Sequence, residues 1–240
     1  MMRRALVLAT TTARAARFGR VLAPVGLLGG ASLMSRARGK KIDYESLTGL
    51  PESWAAEAAK HALAGNTPIK SDGGYEIATF AGGCFWGVEL RFQRVPGVIA
   101  TASGYVQGHK NEPTYREVSA RSTGHTEAVQ LIFDPGVVSY ADLLEIYWDR
   151  LGDDATRANA VGNDRGPQYR SGVYALSEKQ LAAAEASLSK RQERFAKPIA
   201  TEVERQKGVF WPAEEYHQQY LEKGGQSARK KETEPIRCYG

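Results

Sequence analysis

One stretch decides the fold, residues 76–97, with the sequence EIATFAGGCFWGVELRFQRVPG. Residues 76–80 predict a strand, and residues 84–95 predict a helix that a Pro-Gly pair ends. Cys84 is therefore expected where a strand turns into a helix, at the end where unpaired amide N–H groups and the helix dipole stabilise an anion. A thiol needs this help, because at an ordinary pKa near 8.5 only about 3% is ionised at pH 7. A buried structural cysteine fits the local pattern equally well.

The rest of the chain predicts strands and helices that do not alternate strictly. Such a mixture is typical of an α+β fold, here a two-layer sandwich with a mixed sheet flanked by helices. After Lys223 the composition turns to Gly, Ser, Lys and Glu, which predicts a mobile C-terminal tail. The further strands are expected at residues 98–105, 127–133, 168–176 and 199–203, and the further helices at 140–151, 177–194 and 213–223.

The formal net charge of +5 is concentrated at the N-terminus. The first 41 residues hold nine basic residues and no acid, which leaves 23 basic against 27 acidic residues in the remainder. The basic balance therefore gives no reason to expect nucleic-acid binding. An acid-free, Arg-rich segment with many Ala, Thr and Ser residues is typical of an organellar transit peptide, and we expect a disordered leader.

Two alternative interpretations of the N-terminus are weaker. Residues 1–9 resemble a secretory signal, but the apolar run is short and is followed by threonines. Residues 21–34 form an uncharged apolar run of about 14 residues, short of the roughly 20 that cross a bilayer. We therefore expect no membrane association.

The chain has two cysteines and four histidines, which limits its chemistry. Two cysteines cannot form the disulfide framework of a small secreted protein, so they are either inert or chemical. The histidines lack the spacing of metal ligands, and the sequence has neither a P-loop nor a dinucleotide fingerprint. We expect no metal site.

Three side chains besides Cys84 point to chemistry. Phe85 and Trp86 follow the thiol and can wall an apolar pocket, although isolated aromatics more often belong to a core. Glu127 shares a strand face with the apolar residues that alternate with it, and such surroundings raise a carboxyl pKa. A carboxyl that stays protonated near neutral pH can donate a proton to a departing oxygen. The alternative is a partly exposed carboxylate at a strand end.

Longer blocks give these residues a context. The pentapeptide at 83–87, GCFWG, matches the signature of the A-type peptide methionine sulfoxide reductases, and the chain resembles that family over about residues 75–223 and its last few residues. Four more blocks resemble the family in the same order: NEPTYREV at 111–118, TGHTEAV at 123–129, GNDRGPQYRS at 162–171 and AEEYHQQYL at 213–221.

The resemblance implies a reaction and the residues that perform it. Cys84 would attack the sulfur of the S epimer of methionine sulfoxide, free or in oxidised proteins, and Glu127 would protonate its oxygen. Without the resemblance, the other residues would be ordinary half-buried tyrosines, a loop cap and core aromatics. Tyr115 and Tyr169 would hydrogen-bond the oxygen, Asp164 would support the substrate pocket, and Phe85 and Trp86 would hold the methyl group.

The second cysteine, Cys238, is the candidate resolving thiol. Sulfoxide reduction leaves a sulfenic acid on the nucleophile, and a second thiol can condense with it to form a disulfide. A flexible tail from Gly224 to Cys238 has an r.m.s. reach of roughly 20 Å, enough to bring the two sulfurs together. The resemblance implies that thioredoxin then reduces the disulfide and that the chain binds no cofactor. A free surface cysteine without a role is the alternative.

The chain departs from the family in two places. Ser119 stands where many members have a cysteine, and the segment after Gly225 is shortened and lacks the second C-terminal cysteine of similar plant-type sequences. Cys238 would then be the sole resolving thiol, with direct reduction of the sulfenic acid by a partner as the alternative. The leader and the ending together resemble plastid-targeted members, which implies the chloroplast, with the mitochondrion as the alternative.

Four segments follow from these observations. We expect a transit peptide at residues 1–45, a linker at 46–74 in which alanine favours a helix, a catalytic domain at 75–223 and a tail at 224–240. We also expect the protein to be a monomer.

Two other functions remain open at this point. A thiol peroxidase or a cysteine hydrolase can also use a thiolate at a helix terminus, and a hydrolase needs a histidine base beside the thiol. A module that binds oxidised methionine without reducing it is the second alternative. The presence of both Cys84 and Glu127 weighs against such a module.

Overall fold

A six-stranded sheet is the centre of the computed structural model, which describes residues 41–47 and 52–238. The strands are β1 (Glu76–Ala81), β2 (Val98–Val106), β3 (Thr126–Phe133), β4 (Ala160–Val161), β5 (Asp164–Arg165), β6 (Gly172–Ala175), β7 (Glu202–Arg205) and β8 (Trp211–Pro212). The order across the sheet is β7-β6-β1-β3-β2-β8, and a two-stranded ribbon of β4 and β5 lies apart. The β6–β7 pair is parallel, whereas the other pairs are antiparallel.

Helices flank this mixed sheet, which confirms the predicted α+β class. No helix within residues 41–47 and 52–238 is long and apolar enough to cross a membrane. Short 3-10 turns lie at Gly152–Thr156, Pro167–Tyr169 and Glu215–His217. The helices are α1 (Ala55–Leu63), α2 (Phe85–Gln93), α3 (Tyr115–Ser119), α4 (Tyr140–Leu151), α5 (Glu178–Gln192) and α6 (Tyr220–Lys223).

Helix α4 is fixed to the end of β1 that precedes Cys84. The helix begins with a capping box, in which the Ser139 hydroxyl accepts from the Asp142 N–H and the Asp142 carboxylate accepts from the Ser139 N–H. Near its other end the Tyr147 hydroxyl donates to the Ala81 carbonyl over 2.8 Å. This bond places the last turn of α4 beside the junction of β1 and α2.

The predicted helix at 213–223 is interrupted in the structure. It is a 3-10 turn followed by the four-residue α6, and Gln219 between them has a φ of +51°. The interruption has a cause outside the segment: the buried Gln218 amide bonds both backbone groups of Ser103, and the Gln219 N–H donates to Glu89 on α2. Two predicted strands also differ in extent, because that at 168–176 begins only at Gly172 and that at 199–203 shifts to Glu202–Arg205.

The residues before β1 pack into the same core as the sheet. Helix α1 lies within the predicted linker, and its alanines Ala55, Ala58, Ala59 and Ala62 are buried. Trp54 precedes it, and its indole N–H donates to the Gln130 side chain over 2.7 Å. The predicted leader lies largely outside the described residues, but Ile42 and Tyr44 near its expected end are buried in the core.

The tail is docked on the end of α2, which differs from the mobility that its composition predicts. The buried Arg94 donates to the carbonyls of Ser227 and Glu234, over 2.9 and 2.6 Å. Lys230 donates in return to the carbonyls of Gln93 and Val98. Composition does not reveal these contacts, because they join two cationic side chains to backbone carbonyls that are distant in sequence.

Candidate active site

Cys84 is the N-cap residue of α2, at the strand-to-helix junction that the sequence predicts. The preceding Gly83 has a φ of +77°, a conformation that glycine adopts without strain. A Cβ atom at Gly83 would also lie 2.8 Å from the Cβ of Val161, so a side chain is excluded there by contact with the β4–β5 ribbon. This turn holds the thiol at the helix N-terminus with 8% of the residue exposed.

Two carboxylates occupy the first amide groups of α2. The Cys84 N–H donates to Asp164 over 3.2 Å, and the Phe85 N–H donates to Glu127 over 3.1 Å. Asp164 reaches this position from the β4–β5 ribbon and Glu127 from β3. The helix N-terminus therefore gathers the nucleophile candidate and two of the predicted acids within one turn of backbone.

Glu127 is 2% exposed, and burial raises the pKa of its carboxyl to about 8. The negative charges of Asp164 and Glu214 raise it further, while the hydrogen bond from the Phe85 N–H opposes the shift. A carboxyl with this pKa is mostly protonated at pH 7, so it can donate a proton. The burial of Glu127 agrees with the apolar surroundings that its position on the strand predicts.

Phe85 and Trp86 form one wall of an aromatic cluster. Phe85 is buried, and the half-buried Trp86 stacks on Tyr220 with ring centroids 3.8 Å apart. The Trp86 indole N–H donates to Nδ1 of His217 over 3.0 Å. His217 also contacts Phe85 and Tyr115, with centroids 4.9 and 4.7 Å away. The two aromatics after the thiol are thus held by residues from the interrupted segment before the tail.

His217 does not serve Cys84 as a base. Burial lowers the pKa of His217 to about 3, so the ring is neutral at physiological pH. Its Nδ1 accepts from Trp86, and no hydrogen bond found among the described residues joins a histidine to the Cys84 thiol. The arrangement therefore lacks the cysteine–histidine pair that a cysteine hydrolase requires.

Tyr115 and Tyr169 lie close enough to Glu127 for its charge to raise the pKa of their phenols. Burial is the largest cause that raises the pKa of each phenol, and the charge of Glu127 is the second. Glu214 fixes the backbone at Tyr115, because its carboxylate accepts from the Tyr115 N–H and from the Tyr105 hydroxyl, both over 2.9 Å. The structure thereby brings both predicted tyrosines to the carboxyl that is predicted to be the acid.

Cys238 lies against Cys84, and both are free thiols. The Cys84 S–H donates to the Cys238 sulfur; this bond and burial raise the pKa of Cys84. The same bond and the positive charge of Arg150 lower the pKa of Cys238 to about 7. The bond between the two thiols therefore favours ionisation of Cys238 over ionisation of Cys84. The raised pKa of Cys84 differs from the expected thiolate, because the bond to Cys238, burial and the charge of Glu127 together outweigh the hydrogen bond from the Trp86 N–H at the helix start.

Several residues of this site carried no role in the sequence analysis. Glu214, His217 and Tyr220 all lie in the block at 213–221, which resembled the family but was interpreted only as a helix. Arg150 lies at the end of a helix whose apolar face is the stronger signal. Their roles depend on contacts between segments that are distant in the chain. The resemblance of the block at 213–221 to the family was the one signal that could have pointed to the first three.

Two open cavities lie away from this site. One, of about 650 Å³, is lined by Lys41, Lys110 and neighbours of α3, and the other, of about 560 Å³, lies between β1, α4 and α5. Neither is lined by Cys84 or Glu127. Within the described ranges no group of three His, Cys, Asp or Glu side chains is placed to hold a metal ion.

Known proteins resemble this chain over most of its length. A family model described as peptide methionine sulfoxide reductase matches residues 76–237. Peptide methionine sulfoxide reductase A2-1 of Oryza sativa subsp. japonica is 49% identical over 183 residues, which cover 76% of this chain and 96% of that protein. Peptide methionine sulfoxide reductase A4, chloroplastic, of the same species is 49% identical over 172 residues, or 70% of this chain and 64% of that one.

A solved structure agrees with these relatives. Mxr1 of Saccharomyces cerevisiae in reduced form superposes with a TM-score of 0.60 at 32% identity, covering 66% of this chain and 90% of that one. The site geometry, the matching family model and the relatives converge on one assignment: the chain belongs to the peptide methionine sulfoxide reductases, oxidoreductases that return methionine sulfoxide to methionine.

Proposed function

We propose that this reductase acts on the S epimer of methionine sulfoxide, free and in oxidised proteins, with Cys84 as nucleophile and Cys238 as resolving thiol. One observation carries the proposal. The Cys84 sulfur stands at the N-terminus of α2 with the protonated Glu127 carboxyl bonded to the next amide and the Cys238 sulfur in contact. A nucleophile, a proton donor and a second thiol therefore meet at one point.

The first step transfers oxygen to Cys84. Cys84 becomes a thiolate when its proton passes to Cys238, and it attacks the sulfoxide sulfur to form an S–S bond while Glu127 donates a proton to the oxygen. The hydroxyl then moves from the methionine sulfur to the Cys84 sulfur, and the S–S bond between the two breaks. The oxygen ends on Cys84 as a sulfenic acid, and methionine leaves as a thioether. Tyr115 and Tyr169 would hydrogen-bond the oxygen, which their position in the field of Glu127 supports. Asp164 would support the pocket by holding the Cys84 amide.

The substrate methyl group would rest on Phe85 and Trp86. The indole of Trp86 is held on one side by the hydrogen bond to His217 and on the other by stacking on Tyr220. A rigid apolar wall is suited to a methyl group, and its fixed position relative to Cys84 orients the sulfoxide sulfur toward the thiol.

The second step forms a disulfide. The Cys238 thiolate attacks the sulfur of the Cys84 sulfenic acid, an S–S bond forms, and the oxygen leaves with a proton as water. Thioredoxin would then reduce the disulfide by thiol exchange, so the chain needs no bound cofactor. The docked tail supports this step, because it already holds the two sulfurs together.

We further propose that the enzyme is a monomer and works in the chloroplast, with the mitochondrion as the alternative. The support is the acid-free, Arg-rich composition of residues 1–41 and the chloroplastic rice relative. In this proposal residues 1–45 contain the transit peptide and residues 75–223 form the catalytic domain, to which the preceding α1 also packs.

A stereospecific assay tests the proposal. The full chain is supplied with each epimer of a blocked methionine sulfoxide, first with dithiothreitol and then with thioredoxin and its reductase. We expect turnover of the S epimer alone, none in Cys84→Ser, and a single methionine per enzyme in Cys238→Ser when thioredoxin is the reductant. Turnover by Cys84→Ser would contradict the nucleophile, and full multiple turnover by Cys238→Ser would contradict an obligatory resolving thiol.

A further inference from the structure

Arg150 joins the turn before Cys84 to the tail. It lies in the last turn of α4, and its Nη1 donates to the Gly82 carbonyl over 2.8 Å. Its Nη2 points at α2, where a Cβ atom placed on Gly87 would lie 3.0 Å from Nη2 and 2.6 Å from the Cys238 sulfur. The Arg150 guanidinium and the Cys238 sulfur therefore both lie where a side chain at Gly87 would be.

The charge of Arg150 is directed at the two thiols. Burial lowers its pKa, and interaction with Cys238 and then with Cys84 opposes that shift, but a guanidinium stays protonated in proteins. None of the ion pairs formed within the described part of the chain involves Arg150. A partly buried positive charge stabilises an adjacent thiolate, and here it acts against the negative charge of Asp164, which raises the pKa of Cys238.

We infer that Arg150 is a positioning residue for disulfide formation, holding the Cys238 sulfur as a thiolate against Cys84. The inference rests on the proposed resolving role of Cys238. In the step concerned, the Cys238 thiolate supplies the electron pair for the S–S bond, the S–O bond of the Cys84 sulfenic acid breaks, and the oxygen leaves as water with one proton. Its rate follows the fraction of Cys238 that is ionised, which is the quantity that the neighbouring guanidinium increases.

A purely structural role for Arg150 predicts a different defect. The bond from Nη1 to the Gly82 carbonyl supports the turn that carries Cys84, so its loss would misplace the nucleophile and slow methionine release. Loss of the charge beside Cys238 slows disulfide formation more than it slows methionine release. The two roles are therefore separated by measuring the two steps in one experiment.

The experiment is a single turnover of the reduced full chain without an external reductant. Methionine release is measured by quenching and chromatography, sulfenic acid by trapping with dimedone, and the disulfide by counting thiols that resist alkylation. The variants are Arg150→Gln, which removes the charge, and Arg150→Lys, which keeps it. Arg205→Gln is the matched control, because Arg205 is exposed on β7 and its guanidinium forms an ion pair with Glu178 at the surface.

We expect Arg150→Gln to form the disulfide about fivefold more slowly than the control at pH 7, and to slow this step more than methionine release, so that sulfenic acid accumulates. The reason is that a rise of one unit in the pKa of Cys238 from about 7 lowers its ionised fraction at pH 7 from about one half to about one tenth. The deficit should shrink toward pH 9, where the thiol ionises without help, and Arg150→Lys should recover most of the rate. Equal disulfide rates and pH profiles in wild type and Arg150→Gln would overturn the inference, as would a defect confined to methionine release.

Two further outcomes keep the inference separate from the proposed function. If Arg150→Gln does not fold, Arg150→Lys provides the test. This variant keeps the positive charge, so a disulfide rate reduced about fivefold at pH 7 would overturn the inference. If the wild type releases no methionine, or if Cys238→Ser turns over fully with thioredoxin, the proposed function fails instead, and with it the step that Arg150 serves.

Discussion

Glu127 combines features that point to a proton donor rather than a structural acid. Its carboxyl is buried, its pKa is raised to about 8, and one oxygen accepts from the amide directly after Cys84. Glu127 is thus held beside the nucleophile, where a proton must be delivered when the sulfoxide oxygen departs. The same carboxyl also lies near both phenols that are expected to bind this oxygen.

Replacing Glu127 by glutamine should therefore slow chemistry and spare binding. The amide keeps the size of the side chain and can still accept from the Phe85 N–H, but it has no proton to give. We expect the single-turnover rate of methionine release to fall by about 100-fold or more, with little change in substrate affinity. Glu145→Gln on the exposed side of α4 is the control. An unchanged single-turnover rate would remove Glu127 as the donor.

The pH dependence of methionine release follows from the same pKa. Glu127 is protonated below about pH 8 and loses its proton above it, so donation fails and a negative charge appears beside Cys84 at alkaline pH. We expect the single-turnover rate of the wild type to decline above about pH 8, and Glu127→Gln to lack this decline. A wild-type rate that keeps rising to pH 10 would contradict the assignment.

Residues marked by a local pattern could be recognised as candidates from the sequence, whereas those that support them could not. Phe85, Trp86 and Glu127 stand out because a helix start and a strand face can be recognised locally. His217 and Arg150 act through contacts with residues more than 60 positions away in the chain, such as Trp86 and Gly82. Apart from the resemblance of the block at 213–221 to the family, a single sequence contains no signal for such a pairing.

At the scale of elements, helix α2 connects the active site with the C-terminal tail. Its N-terminus carries Cys84, its C-terminal end holds the tail through Arg94 and Lys230, and its third residue, Gly87, leaves room for the Cys238 sulfur. One nine-residue helix thus sets the positions of both thiols.

Gly87→Ala tests this arrangement. A Cβ atom would lie 2.6 Å from the Cys238 sulfur and 3.0 Å from Nη2 of Arg150, so the end of the tail must move away. Alanine is favoured over glycine inside a helix, so α2 itself should not be weakened. We expect disulfide formation in a single turnover to slow by at least about tenfold because the two sulfurs lose their alignment, while methionine is still released. Gly73→Ala in the loop before β1, where a Cβ meets ordinary contacts, is the control. Normal disulfide formation in Gly87→Ala would show that the docked position is not used.

The elements were predicted most reliably where the local pattern is strong. Helix α4 and strands β1, β2 and β3 occupy nearly the predicted residues. The segment at 213–223 is not one continuous helix, because hydrogen bonds to other elements interrupt it. The Gln219 N–H donates to Glu89, and the Gln218 side-chain amide bonds the backbone of β2. The docking of the tail was missed for the same reason, since its partners are carbonyls and cations of α2 and β2.

At the scale of the whole molecule, buried acids couple the fold to pH. Glu89, Glu127 and Glu214 are buried, and burial is the largest cause that raises the pKa of each. Each acid keeps its proton longer in the folded than in the unfolded state, so its contribution to stability is lost as pH rises through the folded pKa. His217 has the opposite effect, because burial lowers its pKa. Its contribution to stability is lost as pH falls from about 6.5, the pKa in the unfolded state, toward about 3, the pKa in the folded state.

Glu89 allows this coupling to be measured without touching the reacting groups. It is 1% exposed, accepts from the Thr101 hydroxyl and the Gln219 N–H, and has a pKa raised from 4.5 to about 7. Between those two pH values the folded state holds a proton that the unfolded state has lost, so wild-type stability should fall as pH rises. We expect the free energy of unfolding of Glu89→Gln, measured in urea, to gain about 3 kcal/mol relative to wild type between pH 5 and pH 8. Glu145→Gln, at an exposed position on α4, should follow the wild type, and a parallel pH dependence of Glu89→Gln and wild type would contradict the raised pKa.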